Sequence, residues 1–290
     1  MKKKVALVLS GGGARGFAHI GVIEELEKQG YEITSIAGTS MGSVIGGVFA
    51  LGKMDVLKDW AYTMDKRKVF SLVDFTLNKH GMVRGDKVFK KMKKLIPDDK
   101  IENLPIPYAA VATDMIEKKE VVFTEGSIYD AIRASVSIPT VFTPVKSGHK
   151  LMVDGGVLNN IPIDHVTRRK GDILVAVNVN SGIPFTKPEV LEEDHKKKES
   201  RYNKRTREFY KQLQKITPTH DEEDLSYFNL ISRTIDLMTW RIDELSLAQH
   251  QPDMLIEISR EASTLWDFYK AEELVEIGRS AAIEKLAEFS

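Results

Sequence analysis

Three short stretches of this chain hold residue types that do chemistry together. Gly38-Thr39-Ser40-Met41-Gly42 places a serine between glycines two positions to either side. That spacing fits a sharp strand-to-helix turn, in which a serine at strained backbone angles tolerates only small residues at those places. Its hydroxyl is then pushed out over a helix N-terminus, which favours developing negative charge. Upstream, Gly11-Gly12-Gly13-Ala14-Arg15-Gly16 is dense in glycine, so backbone N–H groups can approach an anion closely. Downstream, Val153-Asp154-Gly155-Gly156 sets a carboxylate ahead of two glycines, where it can lie against another piece of backbone. Together they read as a nucleophile in Ser40, a general base in Asp154 and an oxyanion hole in the amides of Gly11, Gly12 and Gly13. Arg15 is expected to stand beside that hole as a permanent cation. One oxyanion donor contributes roughly 3–4 kcal/mol to lowering a barrier. An ordinary carboxylate is a poor base for a hydroxyl, so Asp154 is expected to be partly desolvated and to titrate above its usual range.

Other chemistry competes for the same residues. Gly11, Gly13 and Gly16 also match G-x-G-x-x-G, the dinucleotide fingerprint. A dinucleotide site needs an acid at the end of the second strand to bind a ribose. Here that strand runs into Gly38-Thr39-Ser40, and Glu32 stands at its wrong end. A histidine base is the other alternative. His19 falls inside the first helix, His149 in a hairpin turn and His165 after Ile161-Pro162-Ile163-Asp164, and none has a distinctive local pattern. The late histidines His195, His220 and His250 lie in charged or polar surroundings, unlike the closing histidine of an α/β-hydrolase triad.

The elements that must position these groups follow from periodicity. Residues 5–9 form a continuous aliphatic run that ends in glycines, as a buried parallel strand does. Residues 17–29 carry Ile20, Ile23 and Leu26 at helical spacing, with Gly30 in the place of a C-terminal cap. A second strand at 33–37 and a helix after Ser40 complete a β-α-β-α start. Such alternation predicts a parallel sheet with right-handed crossovers. It also brings the 11–13 turn and Ser40 to one sheet edge. Further on the pattern predicts helices at 55–65 and 86–95, strands at 108–113 and 120–124, and a helix at 127–134. A strand pair at 142–146 and 150–153 and a strand at 173–179 come next. A helix at 225–249, a strand at 254–258 and a helix from 267 onward close the chain.

Bulk properties narrow the function. The 290 residues suffice for one large α/β domain. Forty-two basic residues balance forty-two acidic ones, so no global field draws the chain to nucleic acid. The absence of cysteine excludes disulfides, thiolate catalysis and Cys-ligated zinc. Met1-Lys2-Lys3-Lys4 imitates the start of a signal peptide, but the apolar run behind it breaks at once into glycines. No stretch approaches the roughly 20 apolar residues of a membrane span. The expected location is therefore cytoplasmic, with a peripheral place at the membrane if lipid is met.

The three motifs, in this order, resemble the patatin-like phospholipase family. Ala134-Ser135-Val136-Ser137-Ile138-Pro139, leading to Phe142-Thr143-Pro144, resembles a further block of that family, as does Val157-Leu158-Asn159-Asn160-Ile161-Pro162. The resemblance covers about residues 5–180, with a looser echo at 267–278. It implies a three-layer α/β/α sandwich around a mainly parallel sheet, and a Ser–Asp dyad without histidine that hydrolyses acyl esters of lipids. It assigns Ser40 as nucleophile, Asp154 as base and the glycine turn as oxyanion hole, with Gly16, Gly38, Gly42, Gly155 and Gly156 supporting them. No metal or organic cofactor is implied. The expected partner is a lipid or acyl-ester substrate. The alternative class is an idle regulator or adaptor on the same fold, which need keep none of these residues.

The chain is expected to form one domain over 1–290, with a charged insertion at about 184–224 and a helical part from 225. Within the insertion, 196–215 carries nine Lys or Arg against two acids, and Tyr202, Phe209, Leu213 and Ile216 share a helical face. That resembles an interfacial helix, against the plainer expectation of a solvated one. Met54, Trp60, Met64, Phe70 and Phe75 are weighed in the same way between lipid contact and core.

Overall fold

The computed structural model describes residues 3–72, 84–139, 141–188 and 227–289. Most of the 184–224 stretch, the helix expected at 196–215 and Phe75 lie outside them. The strands are β1 (Lys3–Leu9), β2 (Tyr31–Thr39), β3 (Tyr108–Asp114), β4 (Lys119–Phe123), β5 (Val145–Ser147), β6 (Lys150–Asp154), β7 (Ile173–Ser181) and β8 (Met254–Ser259). The helices are α1 (Ala18–Lys28), α2 (Met41–Ala50), α3 (Met54–Tyr62), α4 (Lys66–Leu72), α5 (Asp86–Leu95), α6 (Ile128–Ser135), α7 (Tyr227–Gln249) and α8 (Ala271–Phe289).

The strands make one sheet in the order β5-β6-β3-β2-β1-β7-β8, with β4 also on β3. Its heart, β3-β2-β1-β7-β8, is parallel. β1 is aliphatic from Val5 to Leu9 because both of its faces are covered there. Val5, Leu7 and Leu9 pack with α1, α2 and α8 on one side, while Ala6 and Val8 meet Ile161, Ile163 and Leu247 of α7 on the other. The result is the three-layer α/β/α sandwich. α1 and α8 cross so closely that a methyl group at Gly21 would fall 1.9 Å from the Val275 carbonyl oxygen, and one at Gly278 1.9 Å from that of Ala18.

Several boundaries differ from the expected ones by a few residues and α4 was not expected; three of the differences have a clear hydrogen-bonding reason. β2 extends to Thr39 because its pairing with β3 continues to Val111. The strand expected from 142 starts only at Val145, since the amides of Val141 and Phe142 turn back to the Ile138 carbonyl. The last helix starts at Ala271, because Asp267 instead closes a turn by accepting from the Thr264 amide.

The topology around β3 places the site. β4 pairs with Ala110–Asp114 of β3, so it occupies one edge. β2 pairs with Tyr108–Val111, and β6 with Ala112–Asp114, which puts both on the other edge. β2 runs parallel to β3 and ends opposite Val111; β6 runs antiparallel and ends opposite Ala112. Their C-terminal ends therefore meet head to head. Ser40 follows one of them, and Asp154 ends the other.

Candidate active site

Ser40 sits at φ 52°, ψ −124°, in the left-handed half of backbone space that a side chain enters only under strain. Surrounding hydrogen bonds hold it there. Its amide donates to Ser135 Oγ at 2.8 Å, and Ser135 in turn donates to the Val111 carbonyl at 2.6 Å. Its carbonyl receives the Ser43 amide at 2.9 Å and the Ser43 hydroxyl at 2.6 Å. The small residues beside it are required by close approach. A methyl group at Gly42 would stand 2.2 Å from the Leu9 carbonyl oxygen, and one at Gly38 would stand 2.5 Å from the Gly42 backbone.

Asp154 is 5% exposed. Its amide donates to the Ser137 carbonyl at 2.9 Å, and its Oδ1 accepts from the Gly156 amide at 2.8 Å. Oδ2 is buried and completes no hydrogen bond of normal geometry among the described residues. The Ser40 hydroxyl lies within electrostatic reach of this carboxylate. Burial pushes the Asp154 pKa up to about 6, against smaller lowering effects of the Ser40 hydroxyl and the Gly156 amide. The result is an acid poised near neutrality next to a strained hydroxyl, which suits general-base chemistry.

The glycine turn reaches the same spot. A methyl group at Gly11 would come within 3.1 Å of Ser40 Cβ and 2.4 Å of Asn160 Oδ1. Not every group of the turn is available for an oxyanion, however. The Gly11 amide is committed to the Asn160 carbonyl at 3.1 Å. The amides of Gly12 and Gly13 have no hydrogen-bond partner among the described residues. Arg15 corrects its expected role as a cation beside the oxyanion. Its Nε donates to the Val179 carbonyl, Nη1 to the Ser263 carbonyl and Nη2 to Asn180 Oδ1, at 3.0, 3.1 and 2.6 Å. The guanidinium thus clamps the turn to the end of β7 and to the loop before α8.

His19 and His165 are engaged elsewhere. His19 is fully buried with Nε2 on the Ser10 carbonyl at 2.8 Å, and burial lowers its pKa to about 4. It braces the residue ahead of the glycine turn in neutral form. His165 Nε2 lies 2.6 Å from Glu120 Oε2, which raises the histidine's pKa. Glu120, Asp164 and His165 offer the sort of atoms a metal ion takes, all within 4.8 Å of one another. They engage one another and the Asn159 Nδ2 group, which donates to both carboxylates.

Local sequence gave no hint of several residues that shape the site. Ser135 and Ser137 hold Ser40 and Asp154 respectively, and only their place in the 134–139 block pointed to them. From the far side of the sheet, α7 presents Thr239 and Asp243 toward Gly156 and Asn160, while Ser246 only ties the helix to the core residue Ile161. Their 3–4 residue spacing marks one helical face, but nothing in sequence says that this polar face turns inward. Leu237 and Met238 of the same helix are left exposed.

A parallel-cored α/β/α sandwich with a strained serine just past its second strand is an arrangement that serine hydrolases use. The family model for patatin-like phospholipase matches residues 7–167, and the chain belongs to that family. Membership supports lipid hydrolysis as the general activity. Uncharacterized NTE family proteins of Mycobacterium bovis and Mycobacterium tuberculosis are 32% identical over 331 aligned residues, spanning 99% of this chain and 92% of theirs. Patatin-like phospholipase domain-containing protein 6 of Mus musculus is 34% identical over 185 residues, 61% of this chain and 14% of that protein. Among solved structures, VipD from Legionella pneumophila shares the fold with a TM-score of 0.50 at 14% identity, covering 99% of this chain and 67% of that one. No helix among the described residues is long and apolar enough to cross a membrane.

Proposed function

We propose that this protein is a serine hydrolase that cleaves fatty-acyl esters of lipids through Ser40 and Asp154. Asp154 takes the hydroxyl proton as Ser40 Oγ attacks the acyl carbon. The amides of Gly12 and Gly13 receive the developing oxyanion, and the N-terminus of α2 adds its dipole. The departing alcohol recovers the proton from Asp154, leaving an acyl ester on Ser40. Water, deprotonated by the same carboxylate, then releases the fatty acid and restores the serine.

The observation that carries this reading is the buried carboxylate of Asp154, raised to about 6 next to a serine held at φ 52°. Strain and desolvation both cost stability, and their coincidence at one point is the mark of a working site. Fluorophosphonate labelling tests it. Wild type is expected to label and Ser40→Ala is not; equal labelling of the two defeats the proposal. Turnover of a short-chain nitrophenyl ester, lost in Asp154→Asn, separates an enzyme from an idle scaffold. Product analysis on defined phospholipids and lysophospholipids then fixes the substrate and the acyl position.

A further inference from the structure

Asp243 lies within α7, 2% exposed. Its Oδ2 accepts from Asn160 Nδ2 at 3.0 Å, while its Oδ1 is buried and accepts no hydrogen bond among the described residues. Burial raises its pKa to about 7, against a smaller lowering by the Asn160 bond. A buried acid with half of its acceptor capacity unused costs stability that an apolar side chain would not. Such a cost is commonly retained where the group serves the site.

Asn160 connects Asp243 to the reacting groups. Its carbonyl holds the Gly11 amide. Its Oδ1 sits 2.4 Å from where a methyl at Gly11 would stand, and 3.0 Å from one at Gly156. That same Gly156 methyl would lie 3.2 Å from Asp154 Oδ1. A carboxylate can only accept, so an ionised Asp243 dictates that the Asn160 N–H group faces the helix and its oxygen faces the site. With Asp243 ionised, the amide is held in one of its two orientations, wedged between the glycine turn and the Asp154 loop.

We propose that Asp243 is a positioning residue: acting through Asn160, it holds the glycine turn in register with Ser40 and Asp154 and ties α7 to them. This rests on the hydrolase reading above. The test uses the full chain on a soluble nitrophenyl ester, with fluorophosphonate labelling of Ser40 and thermal unfolding run alongside. Asp243→Leu removes the acceptor, and kcat is expected to fall by about tenfold or more with KM within about twofold, because oxyanion contacts tighten only in the transition state. Asp243→Asn can still accept from Asn160 and is expected to restore most of that loss. Ser246→Ala frees the same helix from the Ile161 carbonyl, which it holds at 3.3 Å, without touching Asn160. It is expected to keep kcat within about twofold. Should Asp243→Leu fail to fold, Asp243→Ala, whose gap admits water, takes its place with the same expectation. A folded Asp243→Leu or Asp243→Ala with kcat within about twofold of wild type overturns the proposal, as does an equal loss in Ser246→Ala. Wild type that neither turns over the ester nor labels at Ser40 overturns the hydrolase reading instead.

Discussion

To take a proton from Ser40, Asp154 must be ionised, and burial places its pKa at about 6. On the proposed mechanism kcat/KM for a soluble ester is therefore expected to climb with pH through about 6 and then level off. A flat profile between pH 5 and 7 would remove Asp154 from the role of base. The same shift has the opposite effect on stability. The carboxyl titrates at its ordinary value, 3.8, when unfolded and at about 6 when folded. In that window the folded state keeps a proton that the unfolded state has released, so stability falls as pH rises, by on the order of 3 kcal/mol in full. Asp154→Asn should accordingly raise the melting temperature at pH 8 and change it little at pH 4, while kcat falls by roughly 10²–10⁴.

Between residue and fold stand the elements that hold Ser40 in its strained turn. α6 does so with one hydroxyl, since Ser135 both receives the Ser40 amide and donates to the Val111 carbonyl. Ser135→Ala leaves a buried N–H unpaired, a loss of about 1–3 kcal/mol. At this chain length that lowers the melting temperature by roughly 2–4 °C per kcal/mol. The turnover of the ester should drop with it, as the elbow relaxes. On the other side α2 starts hard against the end of β1. Gly42→Ala would drive a methyl group into the Leu9 carbonyl, which is backbone and cannot swing aside. Both melting temperature and kcat are expected to fall, and a variant with unchanged values of both would show that the turn is looser than its geometry states.

Across the whole molecule, the crossing of α8 over α1 ties the end of the chain to its beginning. Arg279 of α8 binds Glu24 of α1 at 2.7 Å, and Glu24 also holds Lys58 of α3. Gly278→Ala would place its methyl 1.9 Å from the Ala18 oxygen. The melting temperature should fall by several degrees with KM unchanged, since the crossing supports the glycine turn from behind without touching substrate. Much of this architecture was legible in sequence. The aliphatic run of β1, the helical spacing of α1 and the glycines around Ser40 each have a local cause. The edge of β3 was not legible, because the sharing of one edge by β2 and β6 depends on the register of each against β3, between partners such as Thr39 and Val111 or Ala112 and Asp154 that are far apart in sequence.

By itself the sequence determined the family, the order of the strands and of all helices but α4, and a serine, a carboxylate and a glycine turn of the residue types that acyl transfer uses. These follow from local backbone needs: glycine where chains touch, aliphatic runs where both faces are covered. Only the tertiary structure decided which amides of the turn lack a partner among the described residues, that Arg15 is spent on four oxygens of other segments, and that Ser135 holds Ser40 while Asp243 holds Asn160 beside the glycine turn. A hydrogen-bonding group takes whichever partner folding brings within about 3 Å, and that partner is chosen by contacts across the chain.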